Sequence, residues 1–275
     1  MRKQNGILIC ILAPLFAVAG FFLRRRELST IFDEHTGLAE LWRTESLILM
    51  GLCALVFLAF LILSLGLPKK MSPDFRTAFG ELSVASGMLA LMGAIVAGAS
   101  FFALVGHFFE MHQLGIFFFW SIGGILAGLC MIEVPIAGAT GKNVSVFAAI
   151  PVFWSCAWLI LLHIRHASDP VLIRYVYTVL AIGFLLLGLY YVASVAFTKG
   201  NMRRQMFCSG MGVYFAGVAL ADTHNTIHER VIVVALAAIV LLYALLLMQH
   251  AGKAQRQTMT WQEEEGDNII ANYDG

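Results

Sequence analysis

The stretch Ala221–Arg230, ADTHNTIHER, sets two imidazoles four residues apart among carboxylates, between two long apolar runs. On a helix, residues at i and i+4 share one face, so His224 and His228 could hold one divalent ion between them. Asp222 is a candidate third ligand. So are His107 and His112, which stand beside Glu110 in the stretch GHFFEMHQ. An open fourth position would take a water whose pKa the metal lowers. Zinc or another divalent transition metal is the cofactor that these residue types suggest, and nothing in the chain calls for an organic one. Two other readings stand beside this one. The imidazoles could sense pH, because they titrate near neutrality. They could equally be amphipathic residues at a membrane interface that form no site.

The segment HNTIHERVIVVAL resembles the His-x-x-x-His that opens the final helix in the haemolysin III and adiponectin-receptor family of membrane zinc hydrolases. The resemblance covers about a dozen residues and implies a zinc hydrolase in which His224 and His228 are ligands. The family also has a third histidine and a serine on an earlier helix, a His-x-x-x-Asp motif and seven spans. This chain lacks the His-x-x-x-Asp motif and reads as eight spans, so only the two histidines carry over.

The elements that would position these groups are membrane helices. Of 275 residues, 60% are hydrophobic and 13% charged, against about 25% charged in a soluble domain. Many apolar runs approach or exceed the roughly 20 residues that cross a bilayer. Each must be helical, because lipid offers no partner to a free backbone group. The pattern predicts an all-α integral membrane protein, a polytopic bundle of about eight transmembrane helices. Its spans fall at 6–23, 46–67, 82–105, 114–134, 144–164, 171–197, 206–222 and 231–249. Residues 1–249 form the bundle, and 250–275 a polar, acidic tail that is expected to be disordered. The first run continues through GFFL into RRR, which favours a retained helix over a cleaved signal peptide. The five cysteines all lie in apolar runs without a Cys-x-x-Cys pair, so they read as packing residues.

With eight spans both termini share a side. That side carries eleven of the 18 Lys and Arg residues and is therefore expected to be cytoplasmic. Arg24, Arg25 and Arg26 read as a charged flank after the first span and argue the other way. Seven of the eight histidines then fall on the opposite face: His35, His107, His112, His163, His166, His224 and His228. Leu28, Ile31, Phe32 and His35, then Leu38, Leu41 and Trp42, form a helical pattern in the first loop. It suits either two amphipathic turns in the headgroup layer or a loop capping the bundle.

Glu133, in MIEVPIAG, is the candidate intramembrane carboxylate. It either faces a transport path or reaches water at the end of its span. Small residues four apart (Gly93 and Ala97, Gly124 and Gly128, Gly212 and Ala216) allow close helix packing, within one bundle or between copies. Pro14 and Pro151 should kink their helices. Walker, dinucleotide and nucleophile-elbow motifs are missing. The function read from these features is a small-solute transporter in the cell membrane, or a non-catalytic membrane subunit of a larger complex. The alternative is a metal-dependent membrane hydrolase or a pH- or metal-sensing protein. The expected partners are the lipid bilayer and a homo-oligomeric or membrane-complex partner, with no role for nucleic acid.

Overall fold

The computed structural model describes residues 2–30, 43–67, 84–111, 115–140, 144–167, 175–197 and 200–250. They form eight helices: α1 (Arg2–Thr30), α2 (Thr44–Leu65), α3 (Val84–Met111), α4 (Ile116–Thr140), α5 (Ser145–His166), α6 (Val176–Ala196), α7 (Met202–Ala219) and α8 (Ile227–His250). No strand occurs among the described residues. Seven of the helices are long and apolar enough to cross a membrane. The chain is a polytopic helical membrane bundle.

The exception is α7, the seventh of the eight predicted spans, and its enclosure explains it. Fourteen of its 18 residues are buried, among them Gln205, Ser209 and Tyr214. A helix covered mostly by protein need not match lipid along its length, and Gln205 donates to Ser209 within the same helix (3.1 Å). At about 1.5 Å per residue, α7 is roughly 27 Å long. At its start Arg203 donates to the Leu67 carbonyl beyond α2. At its far end the turn after Ala219 meets α1 and α6. It therefore runs from one end of the bundle to the other, as the seventh of eight predicted spans.

Small residues set the closest contacts. A Cβ on Gly128 would stand 2.5 Å from the Ala97 amide nitrogen and 2.7 Å from the Gly93 carbonyl oxygen. Two of the predicted small-residue pairs thus pack α3 directly on α4. Gly212 packs on Leu185 of α6. Gly217 and Gly20 do the same between α7 and α1, against Ala17 and Val218. Lipid tails are as apolar as leucine, so this close approach gains dispersion contacts that a wider gap would lose. Met206, Met211, Tyr214, Leu185 and Val240 fill the centre and are all buried. Trp120, Trp154 and Trp158 pack together between α4 and α5, with centroids 5.2–5.7 Å apart.

Several predicted boundaries move. The first helix runs on to Thr30 rather than stopping at residue 23, so Leu28 belongs to α1. The rest of the first-loop pattern, from residue 31 to 42, lies outside the described residues, as does the tail from 251 to 275. Pro14 and Pro151 lie inside α1 and α5 as expected. Pro135 also lies inside a helix, because α4 continues to Thr140. The last helix opens at Ile227, four residues before its predicted start.

Candidate functional site

The ends of α1, α5 and α7 and the starts of α6 and α8 meet at one end of the bundle. The chain leaves α7 through a tight turn in which the Ala221 and Asp222 amides donate to Val218 and Ala219 carbonyls, at 3.1 Å each. Thr226 then caps α8. Its hydroxyl accepts from the Glu229 amide (3.3 Å), and the Glu229 carboxylate accepts from the Thr226 amide (2.8 Å). This reciprocal capping box satisfies two donors that a helix start leaves open.

The turn carries Asp222 into the protein. Arg24 donates to it through Nε and Nη2, both at 2.9 Å, and to Glu27 through Nη1 at 2.8 Å. Thr178 donates to the other Asp222 oxygen (3.0 Å). The Asn225 amide donates to Thr178 Oγ1 and to the Ala219 carbonyl. Arg24 also lies over the Tyr177 ring, 4.7 Å from its centroid. The side chains of Arg24 and Asp222 are 0% exposed and that of Glu27 1%. Burial raises the Asp222 carboxyl to about 6, against the opposing pull of Arg24 and its hydrogen bonds, so it remains anionic at neutral pH. Arg24 is thus a buried ion-pair residue within α1 rather than part of a charged flank after the first span. Nothing local in RRR announces the pairing with Asp222, which is 198 residues away.

The predicted ligands are arranged otherwise than the spacing implied. His224 lies in the turn, before α8 begins, so it shares no helix face with His228. The His-x-x-x-His spacing thus straddles the start of the final helix. The His224 ring sits 5.4 Å from that of His166, which stacks on Tyr175 at 4.5 Å. Burial first, and His166 second, lower His224 to about 4, so it is neutral at pH 7. Its Nε2 is buried without a protein partner. Asp222 is occupied by Arg24 and Thr178 rather than free to ligate. No group of three or more His, Cys, Asp or Glu side chains is placed to hold a metal among the described residues. His35 and His112 lie outside the described residues, as do the side chains of His107 and Glu110. Glu133 is exposed on α4.

His228 lines a second feature, a cavity of about 210 Å³ between α3, α4, α5 and α8. Its polar lining is Arg165, Thr226, His228 and Glu229, and its aromatic lining is Phe117 and Trp120. Arg165 donates to Glu229 (2.6 Å) and lies over Phe117, 4.9 Å from the ring centroid. Trp120 is 6% exposed, and its indole N–H is buried with no partner. Sequence reasoning missed Arg24, Thr178, Asn225, Arg165 and Trp120. It also missed the Thr226-x-x-Glu229 capping signature, which was readable before an apolar run. No protein-family model matches the chain, and no curated protein or solved structure is similar to it.

Proposed function

We propose that this chain is a non-catalytic membrane component that binds a small solute at one end of the bundle without carrying it across. The observation behind this reading is the cavity beside α8, lined by Arg165 and by Trp120, whose indole N–H is buried without a partner. A buried donor without an acceptor is costly, and an acceptor-bearing solute would relieve that cost. Arg165 spends one nitrogen on Glu229, and a guanidinium has five N–H donors in all. These donors beside the Phe117 and Trp120 rings suit a small monocarboxylate with an apolar body. The filled centre of the bundle favours a binding subunit over a carrier.

The test uses acetate, propionate and benzoate as probes on the purified full-length protein. Trp120 packs against two other tryptophans, so intrinsic fluorescence reports occupancy. At least one probe should give a saturable change that Trp120→Phe removes. Arg165→Gln should weaken binding about 10-fold or more, the scale of a charged hydrogen bond. A response that ignores both substitutions, or no response, would end the reading. Uptake of the bound probe into proteoliposomes would make the protein a carrier instead.

A further inference from the structure

An apolar groove of about 490 Å³ runs along the outer surface between α1, α7 and α8. Pro14, Val18, Phe21 and Phe22 line it from α1, and Ala216 and Val234 from the other two helices. A second furrow of about 350 Å³ lies across Leu220 and Val234 and is walled by Met92 and Ile95 of α3. Both face the side of the bundle that lipid covers. What heads the first groove is unusual for a lipid-facing surface. Arg25 and Arg26 are exposed, and each stands four residues beyond Phe21 or Phe22, on the same helix face one turn further on. Helical side chains lean toward the N-terminus of their helix, which here is back over the groove. From Gly6 to Arg25 the helix rises about 29 Å, close to the roughly 30 Å of a hydrocarbon layer. The two guanidinium groups therefore sit at headgroup depth. The neighbouring carboxylate, Glu27, is buried and bound to Arg24, so it does not neutralise them.

We infer that this groove is a site for an anionic phospholipid, with one acyl chain along α1, the other in the adjoining furrow and the phosphate between Arg25 and Arg26. An apolar groove alone accepts any lipid. The paired arginines add selection for negative charge, as basic pockets beside membrane helices do.

The test delipidates the purified full-length protein and reloads it with equimolar phosphatidylglycerol and phosphatidylcholine. Retained lipid is then quantified by mass spectrometry. The protein should retain phosphatidylglycerol over phosphatidylcholine by about 10- to 30-fold, on the scale of two interfacial arginines. The double substitution R25Q/R26Q should bring the ratio near one. Both residues are exposed, so the fold should survive, and an unchanged elution volume checks it. Val234 lines both furrows, and Val234→Trp should cut total retained lipid by half or more. Equal retention in the unaltered protein, or selectivity that survives R25Q/R26Q, overturns the inference. Full retention in Val234→Trp overturns the seat in the groove. Displacement by excess water-soluble glycerol phosphate would show a headgroup-only site and overturn the lipid assignment.

Discussion

Arg24→Met keeps the length of the side chain and removes its charge. The structure makes the cost calculable. Arg24 holds two carboxylates at 2.8–2.9 Å, and all three side chains are essentially unexposed. The substitution leaves Asp222 and Glu27 buried without their cation. Breaking a buried pair in this way costs about 3–5 kcal/mol, mostly because a charge is left uncompensated. At about 2–4 °C per kcal/mol for a chain of this size, the thermal midpoint in detergent should fall by roughly 6–20 °C. Arg25→Met is the matched control, because Arg25 is exposed and its loss should stay within about 0.5 kcal/mol. The triple substitution R24M/E27Q/D222N removes all three charges together. It should recover most of the loss, since replacing a whole buried ion cluster is often near neutral. If R24M melts within about 2 °C of the control, the ion cluster does not hold the helices together. If the triple variant is no better than R24M, packing rather than charge carries the effect.

Gly128→Leu should destabilise the α3–α4 contact by about 1–3 kcal/mol or more through overpacking. Gly98→Leu, where a Cβ meets nothing within 4 Å, should be tolerated, and thermal melts of the two compare them. His224 has its folded pKa depressed from 6.5 to about 4, so its contribution is present above pH 6.5 and is lost as pH falls toward 4. Asp222 is raised from 3.8 to about 6, so its contribution has the opposite sign and grows as pH falls below 6. The melting temperature should therefore drop between pH 7 and 6, then flatten, and His224→Gln should remove the drop. Reporter fusions after residues 75, 140, 202 and 252 should read cytoplasmic and fusions near 35, 110, 167 and 226 should not; an inverted pattern would overturn the orientation.

The apolar runs carried most of the architecture, because a lipid-spanning helix must satisfy its backbone internally and announces itself by length. The small-residue pairs likewise encoded the α3–α4 seam, and the structure spends them inside the bundle. The site was legible only in part. Its location in the turn before the last helix could be read from ADTHNTIHER. Its chemistry could not, since the partner of Asp222 is an arginine that local sequence presents as a charged flank. The capping box was the missed local signal. Recognised, Thr226 and Glu229 place the helix start at Ile227 and put His224 outside the helix, so the two imidazoles do not share the helix face that their spacing implied. The polarity of α7 is the reverse case. Its low hydropathy became interpretable only once its neighbours were known to enclose it.

The cluster and the cavity meet in the first turn of α8. Glu229 reaches Arg165 at the cavity wall, while the adjacent Arg230 donates through Nη2 to the Asp222 carbonyl at 2.9 Å. The six groups Arg24, Arg165, Arg230, Glu27, Asp222 and Glu229 sum to zero charge. Glu229 also caps the helix through its second oxygen, so the turn is held from both sides by groups that depend on its being formed. If that turn acts as one rigid unit, Arg165→Gln and Asp222→Asn should not add, although neither residue contacts the other. The first substitution loosens the cap, and the second then removes an anchor from a turn that is already frayed. The double variant should be less destabilised than the sum of the singles by more than about 0.5 kcal/mol, beyond what independent sites show. Thermal melts of the four proteins measure this term. Strict additivity would mean that the cavity and the ion cluster are separate structures that happen to share a helix end, and solute in one would leave the other unchanged.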